Sequence, residues 1–257
     1  MKHCLLILLA LLICGLTAGA AAENTAEVDI TAEEGPLLMR FYFSRGGYMA
    51  PQSCEITLQS GCYTLRENEE EPRDMDPELV AELLKVIRTY GLKDWNGFHE
   101  SNPDVLDGEG FCLEMTYADG TSVYASGDNA FPDHYYDAVG GIETILEKEK
   151  MSRLAGVYRY QGEGFGGDFM ITLNADGTYT FYEGALSSYI GTGTWNVYYN
   201  AVYMTEDEEN GTGLKFMFGV EDDALIYVAL ESDAFPYMKV ADGERFERLD
   251  TEEKPDE

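Results

Sequence analysis

Residues 168–183 read DFMITLNADGTYTFYE, and this stretch decides the fold of the C-terminal half. Phe169, Ile171 and Leu173 fall on alternate positions, so they share one side of an extended chain. Asp176-Gly177 is a residue pair suited to a tight hairpin turn, and the chain returns as a second strand to Glu183. The same rhythm continues outward. Strands are expected near 155–160, 168–173, 178–183, 191–198, 201–205, 214–220, 224–230 and 244–249. Trp195 and Val197 share a face, as do Phe216, Phe218 and Val220. Eight up-and-down strands closing on themselves leave no free edge, so the expected architecture is a small β-barrel over 152–249.

The preceding stretch has a different grammar. Leu37–Phe43 is apolar and aromatic, and Cys54, Ile56 and Leu58 alternate with polar residues. Ser60-Gly61 is a hairpin turn that sets Gln59 opposite Cys62. Asp76 is suited to cap a helix and Pro77 to be its first residue. Leu79, Leu83 and Ile87 form its apolar stripe, and Gly91 suits the left-handed position after its end. Phe111, Leu113, Met115 and Tyr117 alternate into a hairpin at Asp119-Gly120. A second helix is expected to open at Pro132, with Tyr135, Val139, Ile142 and Leu146 on one face. The expected class is α+β: an antiparallel sheet with two helices over 37–151, followed by the barrel.

The N-terminus reads as a secretory signal over 1–22. Lys2 and His3 precede an apolar run from Cys4 to Leu16, and small residues follow to Ala22. Residues 23–36 read as a flexible acidic leader and 250–257 as an acidic tail. Leu11-Leu12-Ile13-Cys14-Gly15 offers an alternative, a lipid anchor on Cys14, although Ile13 is larger than the residue usual there. No later run is long enough to span a bilayer. The expected location is therefore outside the cytoplasm, secreted or in the cell envelope.

Charge narrows the partners. The chain carries 17 basic and 48 acidic residues, a formal net charge of −31. Such a surface repels phosphate backbones, which argues against nucleic acid as a partner. Cys54, Cys62 and Cys112 are an odd number and no disulfide framework. His99 and His134 have no neighbouring ligands at zinc spacing, and no nucleophile motif is present. The sequence thus indicates no catalytic residue, cofactor or metal set. Trp95, Asp104, Asp107 and Glu109 lie together in a loop between helix and hairpin and form a candidate ligand or cation site. Asp107-Gly108 also suits a simple turn. Glu206-Asp207-Glu208-Glu209 reads as a solvated loop tip.

Two resemblances add to this. Trp95-Asn96-Gly97-Phe98, Val105 through Phe111, Ala118-Asp119-Gly120-Thr121, Ala125-Ser126-Gly127 and Phe131-Pro132 together resemble a family of uncharacterised exported proteins of anaerobic bacteria. That resemblance spans most of 37–150 and carries no function with it. Gly156-Val157-Tyr158, Asp176-Gly177-Thr178, Gly193-Thr194-Trp195 and Phe246-Glu247-Arg248 resemble small lipocalin-like domains. This implies a barrel closed at its base by Tyr158 and Arg248, with Tyr158 standing where lipocalins carry tryptophan. The expected function is an exported binding or envelope-associated protein for a small molecule, glycan or peptide. Alternatives are a protein-interaction or inhibitor module with a filled barrel, and a carboxylate-dependent hydrolase. The signal reading predicts that protein secreted from a bacterial host begins at Ala21 or Glu23 by intact mass; an acylated chain starting at Cys14 would contradict it.

Overall fold

The computed structural model describes residues 35–47, 52–105, 108–161, 169–184, 188–207 and 213–249. The signal segment with Cys14, nearly all of the acidic leader, Asp107 and the acidic tail lie outside the described residues. The chain divides into two compact units between Ile145 and Leu146.

In the first unit the strands are β1 (Leu38–Gly46), β2 (Gln52–Gln59), β3 (Cys62–Glu67), β4 (Arg73–Asp74), β5 (His99–Ser101), β6 (Gly110–Tyr117) and β7 (Ser122–Asp128). They form one sheet in the order β4-β3-β2-β1-β6-β7-β5. Alternation works as expected: Phe41, Phe43, Cys54, Ile56, Leu65, Leu113 and Met115 are buried. Between them stand half-buried polar residues, among which Arg40 bridges Glu55 at 2.6 Å and Glu114 at 2.5 Å. Gln59 faces Cys62 and Cys54 faces Glu67, so the two cysteines sit at opposite ends of the hairpin ladder.

Helix α1 (Pro77–Thr89) starts where the capping chemistry places it. The Asp76 carboxylate accepts from the Glu78 amide at 2.8 Å, and Gly91 takes the left-handed conformation that ends the helix. Its buried face is Leu79, Val80, Leu83 and Ile87.

Two expectations for this unit are corrected. The sheet is mixed, because β5 runs parallel to β7. The chain leaves β5, traverses β6 and returns as β7, so the strand beside β5 has the same direction. The exposed triplet His99-Glu100-Ser101 carries no alternation that would reveal it. Helix α2 (Tyr135–Leu154) opens at Tyr135 rather than Pro132; His134 has φ 62° and precedes the helix. Gly141 has a packing role in α2. A Cβ there would lie 2.8 Å from a Val86 methyl, so the missing side chain lets α1 approach.

In the second unit β8 (Gly156–Tyr160), β9 (Phe169–Leu173), β10 (Thr178–Tyr182), β11 (Ile190–Tyr198), β12 (Ala201–Glu206), β13 (Lys215–Glu221), β14 (Ala224–Tyr227) and β15 (Arg245–Arg248) form a closed antiparallel barrel. The eighth contact, β15 with β8, closes the ring. The eight expected strands are all present, though β14 stops at Tyr227 and a 3-10 turn (Ala229–Glu231) follows. Side chains fill the interior. Phe169, Phe181, Phe216, Phe218 and Phe246 are all buried, and Phe235, from the β14–β15 connection, stacks on Phe216 at 4.3 Å. An eight-stranded ring is only wide enough for such a packed core or one small ligand, and here aromatic rings occupy it.

Tyr158 and the strand position of Arg248 are cross-strand partners at the base. The Tyr158 hydroxyl donates to the Leu154 carbonyl at 2.7 Å. The Arg248 guanidinium donates to the carbonyls of Arg153 at 2.9 Å and Ala155 at 2.7 Å. The two side chains therefore satisfy three consecutive carbonyls at the C-terminal end of α2, which the helix itself leaves without partners. Gly156 is small because a Cβ would meet the Arg248 guanidinium at 3.0 Å. Arg248→Met is expected to destabilise the chain by roughly 1.5–3 kcal/mol, the range for hydrogen bonds from a charged donor. Arg245→Met, at a half-buried arginine whose ion pair is with the exposed Glu247, should cost under about 1 kcal/mol. Equal losses in urea denaturation would refute the clamp.

Candidate functional site

The candidate loop of the first unit resolves into a packing cluster and a solvated turn. Trp95 is 4 % exposed and lies edge-on to Phe111, with ring centroids 6.0 Å apart. It also meets Tyr135 at 6.1 Å. Glu109 accepts a hydrogen bond from the Tyr135 hydroxyl at 2.6 Å and lies 3.9 Å from Arg45. Burial, and then that bond to Glu109, push the Tyr135 phenol well above its ordinary pKa. Asp104 is exposed and sits in a turn stabilised by Asn102, whose side-chain oxygen accepts from the Asp104 amide at 3.2 Å. The structure thus joins Trp95 and Glu109 through Tyr135 and leaves Asp104 toward solvent. Among the described residues no group of three His, Cys, Asp or Glu side chains is placed to hold a metal ion.

A second cluster, at one end of the barrel, escaped the sequence reading. It forms where β10 ends, β11 begins and β12 ends. Positions 179, 181 and 183 alternate inward, so Glu183 follows Tyr179 and Phe181 on the same side of the chain. Glu183 is 3 % exposed. Its Oε2 accepts from the backbone amides of Tyr237 at 2.8 Å and Met238 at 2.5 Å. Its Oε1 is buried with no hydrogen-bond partner among the described residues. Glu206 follows Val202 and Met204 in the same manner and is 2 % exposed, so the expected solvated tip is corrected at its first residue. The Tyr189 hydroxyl donates to the Glu206 carboxylate.

Strand register places Glu206 level with Tyr179. Tyr179, Gly193 and Glu206 form one cross-strand row over β10, β11 and β12. The middle position carries no side chain, and a Cβ there would fall 2.1 Å from the Thr205 carbonyl oxygen. Tyr179 and Glu206 thus flank a bare stretch of sheet. The Tyr179 hydroxyl is the second buried polar atom here without a partner. Burial, then the charges of Glu206, Asp207 and Tyr189, hold its pKa far above the usual phenol value. Burial also raises the Glu183 pKa; its two backbone hydrogen bonds oppose this, and the Glu206 charge adds to it. Tyr189 and Tyr237 stand beside the acids with ring centroids 5.7 Å apart. The signal for both acids was the period-two alternation itself, carried one residue past the last apolar position.

Comparison with protein-family models, with curated proteins and with solved structures finds no match to this chain.

The pH dependence of Glu183 follows from the direction of its shift. Because its folded pKa lies above the ordinary 4.5, ionisation opposes folding near neutral pH. Lowering the pH through the raised pKa removes that penalty, and below 4.5 the group contributes nothing further. Glu183→Gln is therefore expected to stabilise the protein at pH 7.5, because the amide keeps an oxygen for the Tyr237 and Met238 amides and carries no charge to bury. The gain over the unsubstituted chain should shrink as pH approaches 4.5. A variant that is less stable at pH 7.5, or whose difference is flat with pH, would contradict this assignment.

Proposed function

We propose that this chain is an exported, extracytoplasmic binding protein of bacterial type, with a lipocalin-like barrel that recognises its ligand at the Glu183 end and not deep in its interior. The observation that carries this reading is the buried, half-satisfied Glu183 carboxyl in an otherwise aromatic barrel. Proteins tolerate such a group where function uses it, because an apolar or amide side chain would cost less. The filled core supports recognition by groups at the end of the barrel, a common place for ligands in barrel proteins. The reading assigns no catalysis, and the net charge of −31 argues against nucleic acid.

A second reading, a protein-interaction module, is favoured by the outer wall. Tyr198, Tyr199 and Tyr203 are 60 %, 53 % and 38 % exposed, and Met217 pairs with Tyr203 across β12 and β13. Native mass spectrometry of the full chain, secreted from a bacterial host, tests the first reading. It predicts a bound mass that leaves on mild denaturation and is lost in Glu183→Gln but kept in Glu247→Gln, an exposed acid of equal charge. A bound mass retained in Glu183→Gln, or none in any form, would contradict it.

A further inference from the structure

We propose that Phe235 is a built-in occupant of a ring-binding slot, and that a single-ring aromatic molecule carrying an N–H or O–H donor displaces it. This rests on the binding reading above and names the ligand class at the Glu183 end. Phe235 enters the barrel from the β14–β15 connection, and four rings box it in. Phe216 lies parallel to it, with centroids 4.3 Å apart and planes at 7°. Phe169 stands edge-on at 4.7 Å and 90°, and Phe181 at 5.6 Å and 79°. Tyr227 lies at 5.3 Å. A parallel wall with edge-on walls beside it is a slot for a flat ring, the arrangement that aromatic quadrupoles favour. What carries the ring sets it apart from its neighbours. Phe169, Phe181, Phe216, Phe218 and Phe246 sit on strands locked in the barrel ladder. Phe235 sits in residues 234–240, which make no backbone–backbone hydrogen bond among the described residues.

Anchors on both sides leave this stretch as a strap. Before it, the Asp233 amide donates to the Lys215 carbonyl and the Asp233 carboxylate accepts from the Lys215 amide, both at 2.8 Å. After it, the Asp242 carboxylate accepts from the Ala229 amide at 2.8 Å, and the Gly243 amide donates to the Tyr227 carbonyl at 2.9 Å. Between these anchors, the hydrogen bonds to the barrel are those that the Tyr237 and Met238 amides donate to Glu183 Oε2. A segment with so few backbone bonds, and with Ala234, Pro236, Tyr237 and Lys239 exposed, opens at a lower free energy than the whole domain. Glu183 is thus a latch, and Phe235 is what the latch holds in place. A buried carboxyl is a costly way to fix a permanent plug, since an uncharged acceptor would hold the same amides. Slot and latch adjoin: Glu183 bonds to an amide two residues from Phe235, and it follows Phe181 on the same side of the chain. Lifting the strap empties the slot and strips Oε2 of both donors, while Oε1 already lacks one among the described residues. A molecule that takes the vacated space therefore needs a flat ring for the slot and a donor for the carboxyl.

The test is NMR-detected amide hydrogen exchange of the full mature chain, alone and saturated with 4-ethylphenol. Ethylbenzene, with the ring and no donor, and 4-ethylcyclohexanol, with the donor and no flat ring, are the controls. Saturable binding of 4-ethylphenol is expected, at least about tenfold tighter than either control. In the bound form the Tyr237 and Met238 amides should exchange faster, because the ligand takes over Glu183, while the strand amides of β13 keep their protection. Phe235→Ala removes the internal competitor and should raise the affinity for 4-ethylphenol at least about tenfold. Phe235→Leu, which keeps an apolar side chain in the core, should raise it as well and serves if the alanine variant does not fold. Glu183→Gln should lose the preference for 4-ethylphenol over ethylbenzene, and Glu247→Gln should keep it. The proposal is overturned if 4-ethylphenol does not bind the unsubstituted chain, if binding leaves the two amides as protected as before, or if affinity fails to rise in the Phe235 variants. A control that binds as tightly as 4-ethylphenol overturns the ligand class. A native adduct that depends on Glu183, without faster exchange at the two amides, would overturn the strap and leave the barrel-end reading standing, whereas neither adduct nor probe binding would remove both.

Discussion

An eight-stranded ring encloses a space that side chains alone can fill, and the second unit is organised by filling it. Phe169, Phe181, Phe216, Phe218 and Phe246 project inward from four strands, and Phe235 packs among them from a connection. Aromatic rings bury large areas and prefer tilted or edge-on contacts, as between Phe218 and Phe246 at 86°. The small residues on β11 accommodate this packing. Gly191 lies beneath the Phe181 ring, where a Cβ would fall 2.1 Å from a ring carbon. With the centre occupied, polar chemistry is confined to the two ends of the barrel.

The ends have opposite characters. At one, Arg248 and Tyr158 donate to the last carbonyls of α2, and every one of those acceptors receives a donor. At the other, Glu183 and Tyr179 retain buried oxygens that receive none. The first arrangement explains itself as structure: a helix terminus needs donors and receives them. The second does not lower the energy of the folded chain, since burying an acceptor without a donor costs stability. Arg153 Nε, beside the clamp, is also buried without a partner among the described residues, so the contrast between the ends lies in the acceptors alone.

Much of the fold was legible in the sequence because alternation is enforced by burial. The 168–183 stretch shows this: each of Phe169, Ile171, Leu173, Tyr179 and Phe181 is buried as its parity requires. Asp76 and Gly91 were legible for a different reason, since their roles depend on local chemistry alone. The parallel edge strand at His99–Ser101 was not, because an exposed triplet has no pattern to enforce. The candidate site was misplaced because sequence nearness stood in for spatial nearness. Trp95, Asp104 and Glu109 are neighbours along the chain, yet Trp95 fills a core and Asp104 faces solvent. Glu183 follows β10 and Glu206 ends β12, with β11 between these strands, and an acidic run beginning at Glu206 resembles a solvated loop.

The account rests on Glu183 being a carboxyl held dry beside a second acid. Carbon-detected NMR of its side-chain carboxyl across a pH titration measures this directly in the full chain. The account predicts a midpoint above the ordinary 4.5 that falls when Glu206 is replaced by Gln, because the neighbouring charge is removed. A midpoint at or below 4.5, unchanged by that replacement, would mean a hydrated and independent carboxylate and would contradict it.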